Sequence, residues 1–542
     1  MMAPKEETVR NPSFFLVLFC TIALINYVDR GALNAALTNL QAGMCLSTAK
    51  SGIVVSSFTV GYIAAAPLFA HLAGTPAFAG KAFRLMGFGL LCFSLGSLSS
   101  FACTTLGASG FYPLLVARAL VGVGEAAFLV LAPPFIDRVA PDGSKGLWLA
   151  LFYATIPFGM AIGFGVGGFL GGAGYYTVIF LLDAALMCPF ILLALGAPAA
   201  WEAAGAAPPQ ATDHAEPFWA GPVKLLQQPT YVCLAMGYAC YTFTIGGFSV
   251  FAPQFLQYTY DMQQGTANLI FGGITAFTGL VGTAGGGWLL EKIKKGPTAT
   301  AAEATGLGAI MMLGSMPFCF IAFLVDSKWV FFSFLFLAEL IIFAKEGPIN
   351  SAMLWSVGED LKPHAMAFSM LIAHLFGDIP SPPILGYLLD ATADYKGTYI
   401  CRPGLVPDPT QPLPTRCISP ADNATAAGCG VGDSTCQLPG SVPGCSGCLP
   451  CGGQFWLDHP DQPQFAGEPA GANPCATQAC VHPGGPKNIH GNYRLVMGTA
   501  CAWLAWTVIF WAVAYRKFKN EGGSSRGSIQ QKDDTKESLL TG

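Results

Sequence analysis

Two sets of opposite charges stand in apolar stretches of the first third of the chain. Asp29 and Arg30 are adjacent in NYVDR, and Arg118 and Glu125 lie in RALVGVGEAAF. The spacing of Arg118 and Glu125 is about two helical turns, so both side chains leave the same side of a helix. Charges inside a membrane are costly and line wet cavities or pair between helices. These four charges, with Asn26 one turn before Asp29, predict a site that binds substrate or couples protons.

Further ionisable residues fall within apolar stretches nearer the end of the chain. Acids beside arginines, shielded from bulk water, can have their protonation set by the state of a cavity, which is what proton-coupled transport requires. An unperturbed histidine titrates near neutral pH, so His374 is a candidate proton relay, with a hydrogen-bonded core histidine as the alternative. Asp183, Glu339 and Glu346 also fit simple pairing between helices. The predicted substrate-binding or proton-coupling set is completed by Lys345, His374 and Asp378.

Composition predicts a membrane protein. The chain is 53% hydrophobic and 11% charged, with a mean hydropathy of +0.51. Soluble proteins carry roughly twice that charged fraction. A net charge of -4 indicates no nucleic-acid partner. No nucleophile–base pair, metal-ligand set or nucleotide-binding loop is evident, so we expect neither an enzyme nor a bound cofactor or metal.

The predicted fold is an all-α membrane protein with twelve transmembrane helices in two six-helix bundles. Residues 1–197 form the first bundle, 198–229 a cytosolic linker, 230–515 the second bundle and 516–542 a cytosolic tail. Two such bundles separated by a linker are typical of transporters built from repeated halves. The predicted spans are about 14–38, 51–73, 83–105, 111–136, 146–170, 175–197, 230–256, 266–290, 303–325, 329–357, 363–390 and 493–515.

Basic residues set the predicted orientation. Cytoplasmic loops carry an excess of Lys and Arg. Nearly all cations of the short loops fall on one side of the predicted helices, and the short loops of the other side carry little more than Lys50 and Lys328. We therefore expect both termini to be cytosolic.

The segment 391–492 is rich in cysteine, proline and glycine and is predicted to lie outside the cytosol. Such a composition builds little core, so disulfides are favoured over zinc as its cross-links. Asn423 begins an Asn-Ala-Thr glycosylation sequon on the same side. We expect an extracytosolic cap that could bind a protein partner. Its nine cysteines are Cys401, Cys417, Cys429, Cys436, Cys445, Cys448, Cys451, Cys475 and Cys480.

Five stretches of the chain carry a family resemblance. They are INYVDRGAL (25–33), ARALVGVGEAAF (117–128), APPFIDRVAP (132–141), LFYATIPFG (151–159) and AHLFGDIPSPPILGYLLD (373–390). These stretches resemble the Spinster family of lipid transporters within the major facilitator superfamily. The resemblance extends over all twelve predicted spans, and FRLMGFG (83–89) is similar to the plant-type homologues in particular.

The resemblance implies a proton-linked transporter of sphingoid phosphates, sphingolipids or lysophospholipids that works by alternating access. It also implies functional roles for Asp29, Arg30, Arg118, Glu125 and His374. Two features depart from the family. The loop AHLAGTPAFAGKAFR (70–84) lacks the acid of the usual Asp-Arg latch, and the cysteine-rich insertion is not a family feature.

Two alternative functions share parts of this pattern. A major-facilitator porter for a small polar solute, such as a sugar or an organic anion, would have the same fold and charges. A non-transporting membrane receptor would use the large outer segment, but it has no need of charges within its spans. We expect a multi-pass protein of an endolysosomal membrane or the plasma membrane.

Overall fold

A computed structural model describes residues 12–44, 46–75, 78, 80–141, 144–204, 220–294, 300–358, 361–392 and 492–540. All regular elements in these ranges are helical. In the first part they are α1 (Pro12–Ala35), α2 (Leu37–Met44), α3 (Thr48–Gly74), α4 (Ala82–Thr104), α5 (Phe111–Val139), α6 (Lys145–Gly172), α7 (Val178–Leu195) and α8 (Ala199–Ala204). Then follow α9 (Ala220–Leu226), α10 (Pro229–Tyr260), α11 (Gln264–Ile293), α12 (Ala301–Leu324), α13 (Lys328–Ala344), α14 (Glu346–Trp355), α15 (Lys362–Ala373), α16 (Ser381–Thr392) and α17 (Tyr493–Leu540).

Ten of the described helices are long and apolar enough to cross a membrane. They are α1, α3 to α7, α10 to α12 and α17. The other two predicted spans, 329–357 and 363–390, are each divided, so the count of twelve stays a prediction. Residues 393–491, which hold the nine cysteines and Asn423, lie outside the described residues.

Both divided spans break at predicted site residues. Lys345 separates α13 from α14, and a π-helical turn, His374–Asp378, separates α15 from α16. Proline explains the first break, because the ring of Pro348 would clash with the carbonyl of the residue four positions earlier. Pro380 acts in the same way just after the π turn. Interrupted membrane helices and π turns frequently mark functional sites.

The described residues divide into two compact units. Unit 1 draws on residues 1–209, 249–273 and 381–496, and unit 2 on 210–248, 274–380 and 497–542. Unit 1 therefore contains α1 to α8 together with the end of α10, the start of α11, α16 and the first residues of α17. The predicted boundary at 198–229 stays a prediction.

Glycines lie where helices of unit 1 pack closely against one another. A Cβ on Gly122 of α5 would meet the backbone of α3 at Phe58, and one on Gly124 would meet the backbone of α4 at Gly89. Small residues at such positions let helix backbones approach closely. Gly163 of α6 lies equally close to Val28 of α1. Gly122 and Gly124 thus each face a different helix, which places α5 between α3 and α4.

Within unit 1, α16 packs on the start of α3. The two carboxylate oxygens of Asp390 accept hydrogen bonds from the backbone N–H groups of Thr48 and Ala49, at 3.0 and 2.8 Å. The first N–H groups of a helix have no partner within the helix, and a carboxylate there satisfies them. Asp390 therefore ties the end of α16 to the beginning of α3.

Candidate functional site

Four predicted site residues form two crossed ion pairs between α1 and α5. Arg118 donates to both carboxylate oxygens of Asp29, at 2.9 and 2.6 Å. Arg30 donates to Glu125 through Nη2 at 2.6 Å and through Nε at 3.3 Å. Two-pronged contacts between arginine and carboxylate are among the strong charge-assisted hydrogen bonds of proteins. Each charge of the adjacent pair on α1 is therefore neutralised by the opposite charge on α5.

The two ion pairs differ in exposure. The Asp29 and Arg118 side chains are 0% and 1% exposed, whereas Arg30 retains 25% exposure beside a fully buried Glu125. Arg118 is thus enclosed in this conformation. Arg30 is the cation of this set that a solute can reach.

Aromatic rings surround the accessible arginine. The guanidinium carbon of Arg30 lies 4.3 Å from the ring centroid of Phe58 and 5.2 Å from that of Tyr27. Tyr62 is 6.0 Å away. A cation over aromatic faces is stabilised by the ring quadrupoles. The result is a positive group bordered by apolar surface.

Two further polar residues of unit 1 are buried with atoms that lack partners. Both side-chain polar atoms of Asn26, one turn before Asp29, have no hydrogen-bond partner among the described residues. Asp183 on α7 is 2% exposed, and its Oδ2 atom also lacks a partner there. Most buried polar atoms in proteins are paired, so such atoms indicate bound water or a ligand.

Unit 2 contains a buried lysine in an aromatic cage. Lys345 is 0% exposed, and its Nζ lies 2.6 Å from Oε1 of Glu346. The same atom is 3.4 Å from the ring centroid of Tyr241 and 4.2 Å from that of Tyr238. The hydroxyl of Tyr238 donates to Glu346 at 3.2 Å. Lys345 and Glu346 are therefore placed together as a neutralised pair at the break between α13 and α14.

The second break in unit 2 holds the other two predicted residues. Nδ1 of His374 lies 2.7 Å from Oδ2 of Asp378, across the π turn. A carboxylate at this distance fixes the orientation of the imidazole ring. The Thr242 hydroxyl of α10 donates to the carbonyl of Ala373 at 3.0 Å, which supports the backbone beside this turn.

Glu339 on α13 has hydroxyl partners. It accepts hydrogen bonds from Thr275 at 3.2 Å and Thr278 at 3.0 Å, both on α11. These contacts are the helix-to-helix pairing that the sequence suggested for this acid.

Among the described residues, no group of three His, Cys, Asp or Glu side chains is arranged to hold a metal ion.

Sequence reasoning did not identify the cage around Lys345. Its signal was the spacing of Tyr238 and Tyr241, three residues apart, because this spacing places both rings on one helix face. No residue pattern indicates that these rings meet the lysine. Asn423, the predicted glycosylation site, lies outside the described residues.

Comparison with known proteins identifies the family. Residues 19–382 match the Major Facilitator Superfamily. The chain is 34% identical over 424 residues to "Probable sphingolipid transporter spinster homolog 2" of Arabidopsis thaliana, covering 72% of this chain and 85% of the relative. It is 26% identical over 404 residues to "Protein spinster homolog 1" of Rattus norvegicus, covering 70% of this chain and 73% of the relative.

A solved structure shares the fold. It is the crystal structure of a bacterial homologue of the human lysosomal transporter Spinster, in an inward-facing and unoccupied conformation. Its TM-score is 0.63 at 19% identity, and the match covers 94% of this chain and 98% of that one. With ten apolar helices in the described part of the chain, the protein is a multi-pass integral membrane protein. The chain belongs to the Spinster family of the major facilitator superfamily.

Proposed function

We propose that this chain is a secondary active transporter that moves a single-chain lipid across a membrane by alternating access, coupled to protons. The substrate class is a sphingoid phosphate, a sphingolipid or a lysophospholipid. The observation that carries the proposal is the pair of crossed ion pairs, in which Arg30 alone keeps an accessible face. The plant relatives, which are described as probable sphingolipid transporters, support this substrate class.

The surroundings of Arg30 suit an amphiphile. A phosphate-bearing head group needs a cation, and arginine binds phosphate in a two-pronged geometry. The acyl chain that follows the head needs apolar surface, which Phe58 and Tyr27 supply next to the guanidinium. A sugar would instead need several hydrogen-bonding side chains around it.

Proton coupling follows from the partners of the arginine. While Glu125 is ionised, its carboxylate occupies the hydrogen-bonding edge of the Arg30 guanidinium. A proton on Glu125 removes its negative charge and releases the guanidinium for an anionic head group. A proton on Glu125 leaves Arg30 without its partner carboxylate, and the anionic head group of the lipid supplies a negative charge in its place. Proton binding and lipid binding therefore favour each other.

The remaining expectations from the sequence belong to the same proposal. Rocking of residues 1–197 against 230–515 exposes the site to each side in turn, with both termini in the cytosol. The resident membrane is endolysosomal or the plasma membrane. Segment 391–492 forms a disulfide-linked outer cap.

Uptake into vesicles tests the proposal. Purified protein is reconstituted, and uptake of labelled lysophospholipid, sphingoid phosphate and hexose is measured with and without a pH gradient. We expect uptake of at least one of the lipids, accelerated by the gradient. Arg30→Ala should abolish it, while Lys292→Ala, which changes a lysine at the end of α11, should not. Uptake of hexose alone would support the small-solute porter, and uptake of nothing would favour the receptor.

A further inference from the structure

The buried charges of unit 1 do not balance. Three carboxyl groups, those of Asp29, Glu125 and Asp183, are each at most 2% exposed. Two guanidinium groups, those of Arg30 and Arg118, face them, and each is committed to one carboxylate. Asp183 is left without a cation of its own. An uncompensated carboxylate buried in an apolar bundle is strongly disfavoured, and the usual outcome is that it binds a proton.

The neighbours of Asp183 come from three helices. Asp29 of α1 lies within hydrogen-bonding reach, and Arg118 of α5 is the nearby cation. Arg118 also lies 5.8 Å from the ring of Phe180, one turn before Asp183 on α7. Helix α4, which packs along α7, contributes the hydroxyl of Ser94, which donates to the carbonyl of Ala184. The charged residues of α4 and α6 are Arg84 and Lys145, and each lies in the first turn of its helix.

Two carboxyl groups that share one guanidinium cannot both stay ionised in such a site. Like charges at close range raise the cost of the second ionisation, so one proton is held between them. Asp29 accepts two hydrogen bonds from Arg118 and is the ionised member. The proton therefore resides on Asp183, whose buried Oδ2 has no hydrogen-bond partner among the described residues.

We propose that Asp183 is a proton-binding residue of this transporter, which holds a proton in the described conformation and donates a hydrogen bond to Asp29. This inference rests on the proposed proton coupling for its role in transport. Both arginines are paired in this conformation, so neither Asp29 nor Glu125 carries the proton. When Asp183 transfers its proton to Asp29, the O–H bond of Asp183 breaks and one forms on Asp29. The ionised carboxylate of Asp183 then pairs with Arg118. When water enters, the proton passes from the carboxyl pair to that water.

Infrared spectroscopy of the full-length protein in lipid tests the assignment. A protonated carboxyl group has a C=O stretching band that shifts in D2O. The difference between wild type and Asp183→Asn should show the loss of one such band. Asp137→Asn, the same change at an exposed position of α5, should keep it. Asp29→Asn should lose it too, because Arg118 is then free to pair with an ionised Asp183. A band unchanged in Asp183→Asn, or one retained in Asp29→Asn, overturns the inference.

A transport measurement separates this inference from the proposed function. In vesicles, Asp183→Asn should lower the stimulation of lipid uptake by a pH gradient at least tenfold. If wild type and Asp183→Asn are stimulated equally, the role of Asp183 is wrong while the proposed function stands. If wild type transports no lipid but loses the band on substitution, the proposed function fails while Asp183 remains a proton-binding residue.

Discussion

The carboxylate of Glu202 accepts a 2.9 Å hydrogen bond from the backbone N–H of Phe83. Its other oxygen accepts from the N–H of Arg84 at 3.1 Å. Glu202 stands on α8, after the sixth predicted span, and the two donors belong to the first turn of α4. Lys81, the residue immediately before this helix, makes no side-chain cap. An acid from a distant part of the chain thus caps a helix whose preceding loop lacks the acid expected of the family.

Glu202→Ala should destabilise the protein by about 1 kcal/mol, since two N–H groups at the start of α4 lose their acceptor. The ring of Trp201 packs 5.6 Å from that of Phe83, so α8 should stay near α4 and the loss should be confined to the cap. Thermal unfolding in detergent measures the change. Glu291→Ala, at a side chain that is 62% exposed, is the matched control and should have little effect. Equal effects of the two substitutions would show that the cap contributes nothing.

Gly122→Ala should destabilise the protein by about 1–3 kcal/mol, the usual cost of overpacking. The added methyl group would overlap the backbone carbonyl of Phe58, which cannot rotate away as a side chain can. Gly314→Ala is the control, because a Cβ there meets no atom within 4 Å. Unfolding temperatures of the purified variants compare the two. A Gly122→Ala protein as stable as Gly314→Ala would contradict the close packing of α5 on α3.

The charged face of α5 could be predicted from the sequence because it depends on residue type and spacing alone. The pairing of these charges with those of α1 could not be predicted. Asp29 and Arg30 are adjacent, and which of them meets Arg118 depends on how α1 is rotated against α5. The partner of Glu202 was equally hidden, since more than a hundred residues separate it from Phe83. Pro348 and Pro380 were visible signals for the broken spans, but hydropathy over a long window averages them away.

Tyr241→Leu should destabilise the protein by about 1–2 kcal/mol, and Tyr241→Phe should change its stability much less. The ammonium of Lys345 lies 3.4 Å from this ring, and a buried cation–π contact of this kind contributes energy on that scale. Phenylalanine keeps the ring face, whereas leucine removes it. Tyr387→Leu, at a tyrosine that is 65% exposed, is the control for loss of an aromatic ring. Equal unfolding temperatures for Tyr241→Leu and Tyr387→Leu would contradict the role of the cage.

Asn423 should acquire a glycan when the protein is made in a eukaryotic host, because its sequon falls on the predicted outer side. Removal of glycans by an endoglycosidase should increase the gel mobility of the wild type but not of Asn423→Gln. A sequon engineered into 198–229 should stay unmodified. Modification of that engineered sequon would instead place the linker outside and reverse the orientation.

Glu125→Gln should remove the dependence of lipid transport on a pH gradient while the protein still folds and binds lipid. Glutamine keeps the size and hydrogen-bonding capacity of Glu125 but cannot be titrated, so Arg30 is permanently released from its ion pair. Binding of an anionic lipid should then vary less with pH than in wild type. Asp29→Asn tests the second pair in the same way, and at least one of the two variants should lose the coupling.

Arg118→Ala provides the contrast, because it leaves the fully buried carboxylate of Asp29 without its partner. Removal of one member of a buried ion pair costs roughly 3–5 kcal/mol, so this variant should be much less stable than either carboxamide variant. Transport by reconstituted vesicles at several pH gradients, together with unfolding temperatures, distinguishes loss of coupling from loss of folding. If both carboxamide variants keep the wild-type pH dependence, protons do not pass through Asp29 or Glu125. The His374–Asp378 pair in unit 2 then becomes the next candidate for the coupling site.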